Sequence, residues 1–421
     1  MNLQIILNRL QKLHPKEIDL SLERVKKLCN KLGNPQKNLK YISVVGTNGK
    51  YSTIQIIRSI LKEAGIKCNI YTSPHIQKIN ERFVFNDQEI SDVDLINLLN
   101  EVEKINNGEE ITFFEILTAA YFYHSANFKE NINIIESGLF HRFDATNIID
   151  ENLISIITAI GLDHLDWLPK NERTIERIVF EKTSSLINSK IVVAKQITND
   201  VQKIIEKALL SNKSKKIFFN NNFTYSVSEN GFIFYEDEYG SLKLPKPNLI
   251  GQFQVENCAT AISAIRNLEL EVSDENIKSG ITKIKSIARL QEIKNGKLKK
   301  LCKKNKLFLD GSHNPLGAKV LNDYLNTLDC GKHIILGMMI NKDHKEYMKY
   351  FINISSLTTI DIPNQPNSIN GNDLKKKLSS FPKLSYKSTV EEALASIKPN
   401  TDDIVLITGS LYLAGEVLNL N

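Results

Sequence analysis

The sequence predicts an α/β protein of two domains, each built on a sheet of mainly parallel strands. Short β-rich runs alternate along the chain with segments whose apolar residues recur at helical spacing. A glycine-rich turn joins the first of these strands to a helix, and a second alternating block begins near residue 297. With 421 residues, of which 42% are hydrophobic, the chain can bury a sizeable core without disulfides or a structural metal.

The first elements form a βαβ unit. Residues 22–33 carry an apolar helical face that ends at Gly33, and YISVVG (41–46) is a short strand. Residues 52–65 repeat the helical spacing, and KCNIYTS (67–73) is the next strand. Strand, turn, helix and strand in this order imply parallel pairing.

Further strands continue this domain. INIIES (132–137), SIITAIG (155–161) and KIVVAK (190–195) are predicted as buried strands. Residues 216–245, beginning with KIFFN, contain short runs between Asn and Gly turns, which predict small antiparallel strands; residues 255–268 return to a helical pattern.

The second α/β block begins near residue 297. Its predicted strands lie in LFLDGSHNP, IILGMMI, LTTIDIP and DIVLITGS, and its predicted helices in AKVLNDYLNTL and VEEALASI. IARLQEIKNGKLKK, which is polar and contains glycine, is the predicted linker. The expected domains are therefore residues 1–290 and residues 297–421.

Composition excludes several classes of function. Lys and Arg exceed Asp and Glu by only 6 charges, without a dense basic stripe, so no nucleic-acid partner is expected. The five cysteines form no C-x-x-C pair, which argues against a zinc site or a disulfide framework. The start lacks a signal-peptide pattern and no apolar run approaches the roughly 18 residues of a membrane span, so we expect a cytoplasmic protein without a membrane partner.

A phosphate-binding loop is predicted between the first strand and its helix. In GTNGKYST (46–53), glycines allow the backbone N–H groups to converge on phosphate oxygens, and Lys50 supplies a positive charge. The usual loop has four residues between its glycines and a hydroxyl directly after the lysine; here two intervene, and Tyr51 precedes Ser52. A polar helix-capping turn is the alternative, and the strand before and helix after the loop favour phosphate.

Several segments resemble one known family in order and spacing. The loop GTNGKYS is followed by YTSPHIQKINERF, IIESGLFHRFDATNII, ITAIGLDHLDWL and FEKTSSLI, and later by GQFQVENCATAISAI, ARLQE, LDGSHNP and ITGSLYLAGEV. Together they resemble the folylpolyglutamate synthases and dihydrofolate synthases of the Mur ligase superfamily, over roughly residues 19 to 417. The resemblance implies a P-loop mononucleotide-binding domain, holding ATP, and a C-terminal Rossmann-like glutamate-ligase domain.

The resemblance also implies an activity. A substrate carboxylate attacks the γ-phosphate of ATP, and the amine of L-glutamate displaces phosphate from the resulting acyl phosphate to form an amide. The implied substrates are dihydropteroate, tetrahydrofolate and L-glutamate, and the implied cofactors are ATP and Mg²⁺. A monovalent cation and a carbamate on Lys182 are further possibilities within the family, whose members are usually monomers.

The matching motifs assign site residues. The implied metal ligands are Ser73, Glu136 and His164. The implied catalytic residues are Lys50, Lys182 and His164. The implied nucleotide contacts are Asn48, Gly49, Lys50, Tyr51, Ser52, Asn257, Arg289 and Asp310. The implied contacts of the pterin-bearing substrate are Leu20, Ser21, Leu22, Thr112, Phe113, Phe114, Glu115, Asp144, Ala145 and Thr146. Arg82 and Arg142 are candidates for a glutamate carboxylate, and His313 and Asn314 have less specific roles at a strand end.

Without the resemblance, most of these residues have ordinary interpretations. His164 would be a hydrogen-bonding histidine, and Glu136 either a ligand or an exposed carboxylate at a strand end. Lys182 would be a surface lysine, Asp310 part of a turn, and Phe113–Phe114 part of the core.

Departures from the family pattern leave alternatives open. Phe140 and His141 replace a Gly-Gly pair, Tyr51 enters the phosphate loop, and Ala288 replaces glycine. If the family backbone needs a positive φ at the Gly-Gly pair, these side chains add strain and reshape the pocket. One alternative is therefore a catalytically impaired folate- or nucleotide-binding protein. Another is a different Mur-type amino-acid ligase, although residues 1–45 are too few for the additional domain that cell-wall Mur ligases place before this loop.

Overall fold

The computed structural model of the chain describes residues 2–16, 18–186, 189–381 and 383–421. Ile187, the last residue of the FEKTSSLI segment, lies outside them. The chain divides into two compact units. Unit 1 comprises Met1–Ile160, Lys170–Asn248 and Glu256–Ile284, and unit 2 comprises Gly161–Pro169, Leu249–Val255 and Lys285–Asn421. Among the described residues, no helix has the length and apolarity that a bilayer crossing requires.

The helices of the N-terminal part are α1 (Leu3–Leu10), α2 (Glu23–Lys31), α3 (Lys50–Glu63), α4 (Asp92–Asn106), α5 (Phe113–Ser125), α6 (Ile175–Thr183), α7 (Asn199–Ala208), α8 (Gln252–Arg266) and α9 (Asp274–Ile281). Its strands are β1 (Lys40–Val45), β2 (Cys68–Tyr71), β3 (Phe83–Phe85), β4 (Gln88–Glu89), β5 (Ile132–Glu136), β6 (Ile154–Ile157), β7 (Lys190–Val193), β8 (Lys216–Phe218), β9 (Phe223–Val227), β10 (Ile233–Asp237) and β11 (Gly240–Leu244).

Unit 1 is built on an eight-stranded sheet with the order β4-β3-β2-β5-β1-β6-β7-β8. The pairs from β2 to β8 are parallel, and β3 and β4 form an antiparallel edge. β1 lies between β5 and β6, so the loop after β1 emerges where the carboxyl ends of several parallel strands meet. This confirms the predicted parallel-sheet domain.

The predicted antiparallel sheet is also present, with one correction. β9, β10 and β11 form a three-stranded antiparallel sheet. The prediction that KIFFN belongs to it is wrong, because β8 pairs parallel to β7 at the edge of the large sheet. Ile217 in β8 is buried, as are the residues of the other parallel strands. The Asn and Gly turns that follow β8 in the sequence made this run resemble the antiparallel strands after it.

The helices α1, α2, α4 and α5 pack with the β2–β3 region into one hydrophobic core. Its aromatic centre contains Tyr71, which stacks on Tyr121 with a centroid distance of 4.9 Å and on Phe114 with a distance of 6.0 Å. The Phe114 ring is only partly buried, so it lies at the boundary of this core.

The remaining strands, all in unit 2, are β12 (Gln291–Ile293), β13 (Lys306–Leu309), β14 (Lys332–Leu336), β15 (Ser356–Ile360), β16 (Leu384–Lys387) and β17 (Ile404–Thr408). Its helices are α10 (Lys297–Leu301), α11 (Pro315–Leu325), α12 (His344–Met348), α13 (Gly371–Lys377), α14 (Val390–Ser396) and α15 (Leu411–Leu420). The strands form a six-stranded sheet with the order β12-β13-β17-β14-β15-β16, parallel except at β12.

This sheet confirms the predicted second α/β block and corrects two details. The predicted linker IARLQEIKNGKLKK is not an irregular connection, because it contains β12, which pairs antiparallel with β13, and α10. An edge strand has one unpaired side and tolerates polar residues, so polarity alone did not distinguish it from a linker. The strand β16 at the opposite edge has no predicted counterpart.

Candidate active site

The loop after β1 is shaped by two glycines with close neighbours. A Cβ at Gly46 would lie 1.9 Å from Thr158 Oγ1, and a Cβ at Gly49 would lie 2.6 Å from Asn257 Oδ1. Gly49 also has a φ of 89°, in the left-handed region, where it caps α3. The residues at both positions must therefore be glycine, and Asn257, whose nucleotide contact stays a prediction, lies against the loop.

The start of α3 offers a positive end to an anion. Gly49 provides no side-chain cap, and the first-turn amides of a helix have no intrahelical acceptor. The amides of Thr47 and Asn48, by contrast, already have an acceptor, because both donate to the carbonyl of Ala159, at 2.9 and 3.1 Å. Tyr51 is half-buried and Ser52 is buried in the first turn of α3. The geometry favours the phosphate loop over a simple capping turn.

Lys50, Glu136 and Ser73 lie together at this edge of the sheet. Lys50 Nζ is 3.2 Å from the Gly46 carbonyl oxygen and 3.8 Å from Glu136 Oε1. The backbone N–H of Ser73 donates to Glu136 Oε2 at 3.2 Å. Glu136 ends the central strand β5 and is 5% exposed, so the interpretation of it as an exposed strand-end carboxylate is wrong. A carboxylate and a hydroxyl are the oxygen donors that Mg²⁺ prefers.

Lys182 reaches the same loop from the last turn of α6. Its Nζ donates to the Gly46 carbonyl at 2.8 Å and lies 5.7 Å from the centre of the Phe140 ring. The residue is 3% exposed, so the interpretation of it as a surface lysine is wrong. A buried lysine is unusual unless its charge is compensated, which makes this position a candidate for chemistry.

Phe140 and His141 are accommodated in different ways. Phe140 has a φ of 55°, the left-handed conformation that glycine adopts most easily, whereas His141 does not have a positive φ. The His141 ring is buried, and its Nδ1 lies 2.8 Å from Ser137 Oγ. Burial, with a smaller effect of Lys182, lowers the pKa of His141 to about 4. The expected strain is therefore present at the first position only.

Arg142 follows this pair and is held between two aromatic rings. Its guanidinium lies 4.6 Å from the centre of the Phe143 ring and 5.3 Å from that of Phe180. Its ion pair with Glu181 is long, at 3.5 Å, because the same carboxylate oxygen binds Arg177 at 2.7 Å. Arg142 is thus a preorganised cation, as a carboxylate-binding role requires.

Three residues predicted for the metal or the substrate surround Gly138. A Cβ there would lie 3.0 Å from the Phe114 ring, 3.2 Å from Asp144 Oδ2 and 3.3 Å from Ser73 Oγ. Asp144 Oδ2 accepts from the amides of Gly138 and Leu139, at 3.0 and 2.8 Å.

The other oxygen of Asp144 binds Thr146. It accepts from the Thr146 amide at 3.0 Å and from the Thr146 hydroxyl at 2.5 Å. Burial raises the pKa of Asp144, although these donors oppose the shift. Asp144 therefore organises its own loop, in which Ala145 is also buried.

The remaining predicted substrate segments are joined by an arginine. Thr112 and Glu115 form a capping box at the start of α5. Arg24 donates to Glu115 Oε2 at 3.0 Å and to Asp19 Oδ2 at 2.9 Å. Leu20–Leu22, which lies between Asp19 and Arg24, and Phe113 are half-buried. Neither Asp19 nor Arg24 is predicted from the sequence.

Arg82 is bound to a histidine. Its Nε donates to His75 Nδ1 at 3.0 Å. Burial, with a contribution from Arg82, lowers the pKa of His75 to about 4, which keeps that ring neutral and able to accept. Its predicted role toward a glutamate carboxylate stays a prediction.

Unit 2 holds Arg289 and Asp310 at the end of β13. Arg289 Nη1 donates to the Ala288 carbonyl at 3.1 Å, and Ala288 has a φ of 51°. The carboxylate of Asp310 accepts from the amides of Leu290, at 2.7 Å, and Ser312, at 2.8 Å. Burial raises the pKa of Asp310, with Arg289 opposing. These bonds are those of a turn, and the predicted nucleotide role of either residue is not tested by them.

His164 belongs to a polar cluster around Asp163 in unit 2. Asp163 binds Lys342 Nζ at 2.7 Å and Asn314 Nδ2 at 2.9 Å, and lies 3.8 Å from His313 Nε2. Burial opposes its ionisation, but His164, Lys342 and His313 hold the pKa of Asp163 well below its usual range. His164 has a φ of 56° and lies 4.0 Å from Asp163.

Asp163 and Lys342 were missed by the sequence analysis. Asp163 adjoins His164, and Lys342 follows the strand predicted in IILGMMI, so a polar residue after a strand end was the available signal. Ser73 and Glu136 lie in unit 1 and His164 in unit 2. Among the described residues, no group of three or more His, Cys, Asp or Glu side chains could hold a metal. The predicted set contains only two such side chains and is compatible with that finding.

Comparison with known proteins identifies two matching domains and a relative of nearly the same length. Residues 44–265 match the Mur ligase middle domain, and residues 294–420 match the C-terminal domain of dihydrofolate synthetase. The chain is 31% identical to the dihydrofolate synthase/folylpolyglutamate synthase of Bacillus subtilis (strain 168), over 94% of either protein.

Two solved structures have the same fold along the chain. One is E. coli FolC in complex with DHPP and ADP, with a TM-score of 0.87 and 27% identity over 100% of this chain and 97% of that one. The other is a bifunctional folylpolyglutamate synthase/dihydrofolate synthase with Mn, AMPPNP and L-glutamate bound, with a TM-score of 0.85 and 27% identity over 100% of this chain and 98% of that one.

The fold and the phosphate loop define a Mur-type ligase. Within that class, the chain belongs to the dihydrofolate synthase/folylpolyglutamate synthase family. This confirms the predicted fold class and the predicted enzyme class, an ATP-dependent ligase. The alternative of a cell-wall Mur ligase is set aside, because the C-terminal match is to dihydrofolate synthetase.

Proposed function

We propose that this chain forms an amide between L-glutamate and the carboxylate of dihydropteroate or of a tetrahydrofolate, with ATP as the energy source. The observation that carries this proposal is the phosphate loop, in which Gly49 opens the positive end of α3 and Lys50 and Lys182 converge on Gly46. The nucleotide and the acids named in the two similar structures, DHPP and L-glutamate, support these substrate classes.

The reaction would proceed in two steps. The substrate carboxylate attacks the γ-phosphorus, the bond to the β,γ-bridging oxygen breaks, and ADP leaves an acyl phosphate behind. The free amine of glutamate then adds to the acyl carbon, loses a proton and expels inorganic phosphate. Negative charge develops on the phosphoryl oxygens and then on the tetrahedral oxygen, so oriented donors accelerate both steps.

The residues of unit 1 have roles that follow from their positions. Lys50 would bind the terminal phosphates as a point charge, and the uncapped start of α3 would orient the phosphate chain. Phe114 and the Asp144 loop would hold the pterin-bearing acid, and Arg142 would bind a carboxylate of the glutamate or of its growing chain.

A divalent cation would supply charge neutralisation of the transferring phosphoryl group. Ser73 and Glu136 of unit 1 would hold it, because their hydroxyl and carboxylate oxygens suit Mg²⁺, with water completing its shell. The metal-binding role that the family resemblance implies for His164 stays a prediction. A carbamate on Lys182 would place a carboxylate-like group beside Gly46. The Nζ of such a carbamate keeps one N–H, which would still donate to the Gly46 carbonyl. The nucleotide contacts that the family resemblance implies for Arg289 and Asp310 stay predictions.

Product analysis tests the proposal. The purified chain is incubated with ATP, Mg²⁺, isotopically labelled L-glutamate and either dihydropteroate or tetrahydrofolate, and the products are identified by mass. We expect ADP, phosphate and an acid heavier by one or more glutamyl residues. Nucleotide binding without product from either acid would contradict the proposal and favour an impaired nucleotide-binding protein.

A further inference from the structure

We infer that Arg24 is a positioning residue for the pterin-bearing substrate, which it serves by fixing the Leu20–Leu22 segment against the first turn of α5. The inference rests on the proposed function, since it concerns the same substrate. It adds a residue that is absent from the predicted site and that acts through its neighbours.

All three guanidinium nitrogens of Arg24 donate hydrogen bonds. Nε donates to Glu115 Oε2 at 3.0 Å, Nη1 to Asp19 Oδ2 at 2.9 Å, and Nη2 to the Asp19 carbonyl at 3.0 Å. Asp19 directly precedes Leu20, and Glu115 is the third residue of α5. One side chain therefore fixes two segments that are remote in the sequence and that both hold predicted substrate contacts.

The buried carboxylate of Glu115 has few donors besides this arginine. Its Oε2 accepts from the Thr112 amide at 2.8 Å as well as from Arg24. Its Oε1 is buried, and in the described part of the chain it has no hydrogen-bond partner. The side chain is 3% exposed, so loss of Arg24 would leave a buried carboxylate with a single donor. The first turn of α5, with Phe113 and Phe114, would then lose its fixed geometry.

The planar guanidinium of Arg24 makes lysine an incomplete substitute. A guanidinium holds two carboxylates and a carbonyl in one plane, whereas an ammonium is a point charge with rotating donors. Arg24→Lys should keep the charge balance of Glu115 and lose the fixed spacing between the two segments. Arg24→Gln should lose both.

The chain offers a matched control in Arg9. This arginine also joins two remote elements of unit 1, since its Nε donates to Glu103 Oε1 at 2.6 Å and its Nη2 to Asn100 Oδ1 at 2.8 Å. These bonds link α1 to α4. Arg9→Gln therefore measures how the loss of hydrogen bonds between two helices affects stability and KM.

Steady-state kinetics of the full chain test the inference. For Arg24→Gln we expect the KM for dihydropteroate to rise at least about tenfold, since a small misplacement of a substrate is costly, while the KM for ATP stays within about twofold. Arg24→Lys should lie between this variant and the wild type. Arg9→Gln should lower the melting temperature and leave both KM values unchanged.

Each other outcome has a definite meaning. An Arg24→Gln variant with a wild-type KM for dihydropteroate, or with equal rises in both KM values, overturns the inference. If Arg24→Gln does not fold, Arg24→Lys decides in the same way, and Arg24→Gln/Glu115→Gln, which removes the unbalanced carboxylate, should recover the fold with the high KM. A wild-type chain that yields no product with dihydropteroate or tetrahydrofolate refutes the proposed function instead.

Discussion

The buried side chain of Lys182 donates a hydrogen bond of 2.8 Å from its Nζ to the carbonyl oxygen of Gly46, the first residue of the phosphate loop. The bond joins α6 to the loop across 136 positions of sequence and places a lysine amine where a nucleotide phosphate is proposed to bind. Lys50 reaches the same carbonyl from the other side, at 3.2 Å. Two lysine side chains therefore meet at one backbone oxygen, and their functions can be separated by mutation.

Substitution of Lys182 should abolish ligation without preventing ATP binding. Lys182→Ala removes either the ammonium or its carbamate, so we expect the rate of amide formation to fall at least about a hundredfold. If the lysine carries a carbamate, added formate or acetate should restore part of the activity of Lys182→Ala, and ¹³C-bicarbonate should give a carbamate signal in the wild type only. Absence of both would show that the lysine acts as an amine.

Lys50→Ala should remove ATP-dependent turnover and leave the fold intact. Lys50 lies in the first turn of α3, where alanine is a good helix former, so the substitution leaves the helix intact. The loss of a charge at the transferring phosphate should lower kcat by about a hundredfold or more. Circular dichroism is the control for folding, and full activity of the variant would refute the phosphate-loop assignment.

Glu136→Gln should raise the Mg²⁺ concentration that the activity requires. The Glu136 carboxylate lies 3.8 Å from Lys50 Nζ and accepts a hydrogen bond from the backbone N–H of Ser73. Glutamine keeps the shape of this side chain without its charge. We expect the Mg²⁺ concentration for half-maximal activity to rise at least about tenfold. An unchanged metal titration would remove Glu136 from the set of ligands.

The βαβ unit around the phosphate loop was predictable because its information is local. Glycines at Gly46, Gly49 and Gly65 and the regular spacing of apolar residues mark β1, α3 and β2 without reference to the rest of the chain. By contrast, FFEILTAAYFYHS in α5 is apolar on every side, so it has no amphipathic period although it forms a helix.

The contacts within the site were less predictable, since they join distant parts of the chain. The resemblance to a family supplied Glu136, Lys182 and Asn257, and the structure brings these three to the loop or to Lys50. The pair of Asp163 and Lys342 is separated by 179 positions, and no local pattern marks it. Tertiary packing alone fixes such pairs.

Phe140→Gly tests whether the backbone strain at Phe140, which replaces a glycine of the family pattern, outweighs the packing of its side chain. Glycine would relieve a φ of 55°, worth about 1–2 kcal/mol. It would also remove a side chain that is 3% exposed, and deletion of a buried phenylalanine costs about 3–5 kcal/mol. We therefore expect a net loss of about 1–4 kcal/mol in the free energy of unfolding, measured by urea denaturation. A more stable variant would show that the strain exceeds the packing.

His141 should make the chain sensitive to mild acid. Burial lowers the pKa of His141 to about 4 in the folded chain, whereas an unfolded histidine titrates near 6.5. Between these pH values the histidine is protonated in the unfolded state and neutral in the folded state. The contribution of His141 therefore lowers the free energy of unfolding as the pH decreases from about 6.5 to about 4. The shift corresponds to about 3 kcal/mol at most for so buried a group.

His141→Asn isolates this contribution, because asparagine can still bond Ser137 Oγ but does not titrate. We expect the melting temperature of the variant to fall less steeply than that of the wild type between pH 6.5 and pH 4.5. The two curves should be nearly parallel above pH 7, where neither protein has a proton to gain at this position. Parallel curves over the whole range would mean that His141 is protonated as readily in the folded chain as in the unfolded one, and that the acid sensitivity arises from other groups.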